Sequence, residues 1–205
     1  MRIQLIKSRP RLFGAGYDIL NNHKVVGTAE IPNGYQNYKI WIEYQKESKI
    51  LLKFDFEKSL KLICNSQIRE NYNVFEENSL VGEIYFDRCG QSHVTNRRCN
   101  LQINGTVYEG FLVGLGENGL KIPVFTQEKQ IGLIERACVV VDGKSAYEIT
   151  ATEEYIRVLV IMALYIDAAG FNTWGRISKG RVKTILTSKS PEILAKYNPR
   201  FWDCP

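Results

Sequence analysis

Residues 152–169 read TEEYIRVLVIMALYIDAA. The twelve residues from Tyr155 to Ile166 carry one charge, Arg157. Apolar side chains fall on every face of a helical period, not on one stripe. A helix that is apolar all round belongs inside a core or a bilayer. A membrane span needs ~20 predominantly apolar residues, and twelve is short of that. The stretch is therefore expected to be a buried helix. Thr150 with Glu153 fits a capping box at its start. Glu153 and Glu154 suit the positive end of the helix dipole. Gly170 suits a left-handed cap at its end.

Everything before this stretch reads as strands, beginning with an internal repeat. Tyr17-Asp18-Ile19-Leu20 leads to Val25-Val26-Gly27, Tyr72-Asn73-Val74-Phe75 to Leu80-Val81-Gly82, and Ile122-Pro123-Val124-Phe125 to Gln130-Ile131-Gly132. In each copy the glycine falls ten residues after the first position, across a polar turn. Self-similarity of this kind marks a repeated supersecondary unit. A second strand pair follows each copy. Lys39–Tyr44 and Lys49–Phe56 flank a polar turn. Cys99–Ile103 and Thr106–Val113 flank Asn104-Gly105. Ala137–Val141 and Lys144–Ile149 flank Asp142-Gly143. Asn-Gly and Asp-Gly between apolar runs signal hairpins, which also explains the sequon Asn104-Gly105-Thr106. Three repeats of four strands predict about twelve strands. A barrel of that size is too wide to be filled by its own wall, and the apolar helix supplies the filler. The expected class is mainly β (α+β), a closed barrel enclosing its C-terminal helix. Met1–Lys7 and Leu60–Cys64 are strand candidates without a place. A lone glycine inside a strand, as at Gly27, Gly82 and Gly132, indicates a bulge or close backbone approach, not a phosphate loop.

Three strand repeats followed by YEITATEEYIRVLVIMALYIDAAG resemble the Tubby C-terminal-like superfamily, which includes the LURP-one-related proteins and the phospholipid scramblases. The resemblance covers roughly residues 1–170. It implies a twelve-stranded barrel around a hydrophobic helix, and a non-catalytic binding or adaptor role. Some relatives engage phosphoinositides at membrane surfaces through basic residues, which would make an anionic membrane or phosphorylated ligand the partner. Scramblases carry a cysteine cluster and an acidic stretch near the helix. Here Ala146–Ala151 holds only Glu148, so scramblase activity is not expected.

Charge divides the chain into a balanced barrel, 1–170, and a basic, aromatic extension, 171–205. The extension holds seven lysines and arginines against Glu192 and Asp203, which accounts for the whole net charge of +5. Its basic residues and Trp174, Phe201 and Trp202 suit an anionic surface or a protein partner. The charges are too dispersed for a nucleic-acid footprint. The plainer reading packs its aromatics on the barrel. Pro191–Tyr197 is expected to be a short helix with Ser190 as its cap. The candidate anion-binding residues are Arg97, Arg98, Arg176, Lys179, Arg181 and Lys183. The Arg97-Arg98 pair is the only one of its kind, and guanidinium groups hold phosphates by charge-assisted bonds. Arg157 is expected at a barrel mouth, paired or reaching solvent.

Cys89, His93 and Cys99 offer three metal ligands, but a structural zinc site takes four at recognisable spacing, so no metal is expected. The segment 89–100 reads as a polar loop. Neither a hydrolase triad nor a nucleotide-binding loop is recognisable, so no cofactor and no catalytic residue is assigned. A pocket at a barrel mouth, serving an enzyme or ligand carrier, is the alternative. Five irregularly spaced cysteines argue for reduced thiols. The opening MRIQLIKSRPRLF lacks the apolar run of a secretory signal. A cytoplasmic setting, peripheral to a membrane if lipid is the ligand, is the expectation.

Overall fold

The computed structural model describes residues 1–11, 14–32, 39–45, 48–64, 71–89, 96–115, 120–137, 139–141, 146–170, 181–183 and 190–201. Its strands are β1 (Arg2–Arg11), β2 (Gly14–Asn21), β3 (Lys24–Pro32), β4 (Lys39–Tyr44), β5 (Ser48–Phe54), β6 (Tyr72–Glu76), β7 (Ser79–Cys89), β8 (Asn96–Ile103), β9 (Thr106–Leu112), β10 (Leu120–Thr126), β11 (Lys129–Arg136), β12 (Val139–Val141), β13 (Ala146–Ala151) and β14 (Arg181–Lys183). Its helices are α1 (Phe56–Cys64), α2 (Glu153–Tyr165), a π-turn (Ile166–Gly170) and α3 (Pro191–Lys196). Twelve antiparallel strands close into a barrel in the order β1-β13-β11-β10-β9-β8-β7-β6-β5-β4-β3-β2.

The repeated hairpins are β2-β3, β6-β7 and β10-β11. Their turn pairs, Asn22-His23, Glu77-Asn78 and Gln127-Glu128, all carry positive φ, between 47° and 73°. Hairpin turns of this kind need that backbone to match the strand twist. Asn104 and Gly105 repeat it between β8 and β9. In each repeat one residue is skipped just before the glycine. Ile19 pairs Gly27 while Leu20 pairs Val25, and the same slip occurs at Val74/Phe75 and Val124/Phe125. The glycines sit beside β-bulges and are also closely approached. A Cβ on Gly82 would lie 1.8 Å from the Gln102 carbonyl oxygen, and one on Gly27 2.4 Å from that of Glu43. At Gly132 the intruder is the helix itself, since a Cβ there would lie 2.2 Å from Leu159 Cδ2. Gly82→Ala is expected to destabilise by ~1–3 kcal/mol, because a ladder of backbone must move. A lower urea midpoint checks this; an unchanged midpoint would show that the wall gives freely.

The third repeat departs from expectation. Val139–Val141 does not form a hairpin with β13; it pairs with β14 outside the barrel. Its place is taken by β1, which joins β13 through Arg2↔Thr150 to Ile6↔Ala146 and β2 on its other side. The count of twelve holds because the first strand of the chain closes the ring. Leu60–Cys64 lies in α1, not in a strand. The helix ends also differ. Thr150 is committed to β13, and Thr152 is the N-cap, without a side-chain cap bond. Gly170 ends a π-turn that continues the helix.

The helix lies inside the ring. Ile156, Leu159, Ile161, Met162, Leu164, Tyr165 and Ile166 are fully buried. Its contacts reach several sides of the wall. Leu159 meets Gly132 on β11, and Met162 lies 2.9 Å from where a Cβ would stand on Gly110 of β9. Tyr165 packs on Tyr72 of β6 and Phe86 of β7, with ring centroids 5.5 and 4.9 Å apart. The two wall glycines make room for Leu159 and Met162. At the near mouth Arg157 Nη2 lies 2.5 Å from Glu76 Oε1, as its place in the first turns requires.

Outside the wall, α1 starts at Asp55, whose Oδ1 accepts from the Lys58 N–H at 2.9 Å. Lys58 pairs with Glu83, and Asn71 Nδ2 donates to Glu83 at 3.1 Å. Burial would push the Glu83 carboxyl up, but the bonds from Lys58 and Asn71 and the Lys58 charge more than offset this and hold it below 4.5. A carboxylate depressed in the folded state adds stability above its unfolded pKa and loses it as pH falls through the folded value. The stability gap between wild type and Glu83→Gln is therefore expected to be full at pH 7 and to shrink below pH 4.5. Urea titrations at several pH values check it; a constant gap would contradict it.

Candidate functional site

The far mouth of the barrel, at the C-terminal end of the helix, holds a buried polar cluster. Strand alternation puts Lys7 inside after Ile3 and Leu5, Tyr17 beside Ile19, Arg136 after Ile134, and Tyr147 beside Ile149. The π-turn presents Asp167 to them. Asp167 is fully buried. It accepts from Tyr17 Oη at 2.5 Å and Tyr147 Oη at 2.6 Å. Lys7 Nζ and Arg136 Nε each stand 3.9 Å from a carboxylate oxygen. The same cations lie over the Tyr17 and Tyr147 rings, at 5.6 and 5.8 Å. Burial lowers the Lys7 ammonium from its ordinary value; Asp167 raises it and Arg136 lowers it further. Burial and the Asp167 charge push the Tyr147 phenol well up, so it stays a proton donor. Two donors and two cations around one carboxylate pin the end of the helix to β1, β2, β11 and β13. This arrangement is a lock.

The open surface that the fold builds lies on the outer wall. Outward positions of β3 to β7 line up in register: Glu30↔Trp41, Trp41↔Leu51, Leu51↔Phe75, Phe75↔Leu80. Four successive apolar side chains thus form a row across four strands, with Trp41 49% and Leu80 62% exposed. A cleft of about 540 Å3 lies along it, lined by Trp41, Leu51 and Phe75 together with Glu30, Glu43, Glu77 and Lys49. A second cleft, about 430 Å3 and including Val25 and Gln45, shares Thr28 and Glu43 with it. Glu43 and Lys49 stand opposite each other, and three glutamates against one lysine leave the lining acidic. A large apolar row rimmed by charge marks an interaction surface.

The arginine pair expected to grip an anion does not converge. Arg97 and Arg98 are in β8, not in a loop, so they point to opposite faces of the wall. Arg98 Nη1 is 2.7 Å from Glu109 and Nη2 3.2 Å from Asp87. Arg97 lies over the Phe86 ring at 5.1 Å. Arg181 and Lys183 are in β14, paired with β12; Arg176 and Lys179 lie outside the described residues. His93 also lies outside them. Among the described residues no three His, Cys, Asp or Glu side chains gather into a metal site. Cys99 is buried, and burial pushes its thiol well up.

The extension docks on the wall where it is described. Ser190 caps α3 by accepting from the Ile193 N–H. Ile193 is buried against Phe111, Val113 and Phe125, outward side chains of β9 and β10 and the residue just after β9. Lys196 Nζ sits 5.4 and 4.9 Å above the Phe111 and Phe125 rings and 2.9 Å from Glu128. Among the described residues no helix is long and apolar enough to cross a membrane. Compared with known proteins, the chain matches no family model, no curated protein and no solved structure.

Proposed function

We propose that this chain is a non-catalytic binding module on a Tubby C-terminal-like barrel, and that it recognises its partner on the outside of the barrel. The observation that carries this reading is the division of labour between the two sides of the wall. The inside is filled by the chain's own helix and locked at Asp167, while the outside offers the Trp41–Leu51–Phe75 cleft. A closed barrel of this kind is a rigid mount, and sites on rigid elements hold their geometry. A fragment screen read by amide chemical shifts tests it. Shifts are expected at 28–30, 41–43, 49–51 and 75. Shifts confined to 156–166 and the mouth residues would overturn it in favour of a carrier or enzyme pocket.

A second reading is favoured by the tail, which carries the whole net charge: the module engages an anionic membrane surface. Arg98 is taken up by Asp87 and Glu109, so the attraction falls to the extension. Co-sedimentation with phosphatidylcholine vesicles, with and without phosphoinositide, tests it. Phosphoinositide-dependent pelleting is expected, lost on reversing Arg176, Lys179, Arg181 and Lys183 to glutamate. Equal, negligible pelleting throughout would reject it.

A further inference from the structure

The outer wall already binds one segment, and the repeat shows where a second would fit. Ten-residue spacing to the glycine makes Leu20, Phe75 and Phe125 equivalent positions, each three residues beyond Tyr17, Tyr72 and Ile122. At the third position α3 covers the wall, and Phe125 is 1% exposed. Ile193 inserts beside that ring and Lys196, one helical turn on, caps it and reaches Glu128 in the adjoining turn. At the second position Phe75 stays half-buried in the floor of the cleft, and the adjoining turn brings Glu77. The neighbouring wall positions differ in a telling way. Phe125 pairs with Glu109, which pairs with Asn100; Phe75 pairs with Leu51, which pairs with Trp41. The polar pair of one sector is apolar in the other, so the second sector has the larger greasy floor. Its rim carries Glu30, Glu43 and Glu77, the charge that answers a lysine or arginine.

We infer that the Trp41–Leu51–Phe75 cleft takes a short segment of another protein with the chemistry of α3: an aliphatic anchor, then a lysine or arginine three residues later on the same helical face. The anchor sits over Trp41 and Leu51, and the cation meets the glutamate rim. This rests on the reading of the chain as a module that binds through its outer wall.

The probe is a fluorescent synthetic peptide of residues 190–201, added to the full chain, whose own α3 already fills the third sector. Saturable binding is expected, weakened ~10-fold or more by Trp41→Ala, a central aromatic anchor, and likewise by Lys196→Glu in the peptide. Both Trp41→Ala and a second variant, Phe75→Ser, change outward side chains of the wall, and circular dichroism checks their folding. Absence of binding at millimolar peptide would overturn the inference. So would binding unchanged by Trp41→Ala, which would mean exchange with the chain's own α3. Sedimentation showing a dimer that Trp41→Ala dissolves would assign the cleft to a second copy and also overturn it. Fragment shifts at the cleft without peptide binding would sink this inference and leave the outer-wall reading standing.

Discussion

Leu159→Asp is expected to yield a chain with no cooperative unfolding transition. Leu159 is fully buried in the middle of the helix, and its Cδ2 occupies the space that a Cβ on Gly132 would need. The substitution removes an apolar contact worth ~2–5 kcal/mol. It also leaves an unpaired carboxylate in a medium where an isolated charge costs far more than that. Domain stabilities of about 5–15 kcal/mol do not absorb both. Calorimetry and far-ultraviolet circular dichroism check it, with Leu159→Met, expected to cost under ~1.5 kcal/mol, as the control. A soluble Leu159→Asp chain that melts cooperatively would contradict the placement of the helix.

Asp167→Ala is expected to cost ~3–5 kcal/mol, the range for breaking a buried ion pair by removing one partner. It removes one acceptor from two phenols and one counter-charge from two buried cations. Replacing the whole set with apolar residues, Lys7→Met with Arg136→Met and Asp167→Leu, is expected to recover most of that loss, since the cost lies in the uncompensated charge. Urea midpoints check both. A cost under ~1 kcal/mol for Asp167→Ala would mean that the cluster is not a lock. The alkaline limb gives a second check. Lys7 is depressed in the folded state, so between its folded value and 10.5 the unfolded chain holds the Lys7 proton more often, and the Lys7 contribution to stability rises with pH across that window. Removing Asp167, which pulls Lys7 up, widens that window, so Asp167→Ala should regain more stability towards alkaline pH than wild type does.

The architecture was legible because two periodicities were strong. The all-round apolar run of 155–166 has one solution in a β-rich chain, and the turn pairs and Gly27, Gly82 and Gly132 mark hairpin and bulge at fixed spacing. The exchange of β1 for Val139–Val141 was not legible. Both are short apolar strands, and only the long-range pairing of Arg2 with Thr150 distinguishes them. Thr150 is ambiguous for the same reason: a threonine before Glu153 suits a cap or a strand, and the barrel's closure puts it in β13. The Asp167 lock was half visible. Alternation alone puts Lys7 behind Ile3 and Leu5 on the inner face, and an inward lysine calls for a carboxylate in the core. Asp167 is the acid at the end of the apolar run. Arg97 and Arg98 were misleading because adjacency in sequence is opposition on a strand. The outer cleft had no local signal, since Trp41, Leu51 and Phe75 become neighbours only through the register of three strands.

Nuclear Overhauser contacts from the helix side chains distinguish a helix inside the ring from one lying against its outside. A helix threaded through the ring must show, in one sample, Leu159 methyls near Gly132, the Met162 methyl near Gly110, and the Tyr165 ring near both Tyr72 and Phe86. These partners stand on β11, β9, β6 and β7, around the wall. Contacts from all four strands are the predicted result. Contacts to one side only, with the opposite face of 156–166 in fast exchange with solvent, would place the helix outside the barrel.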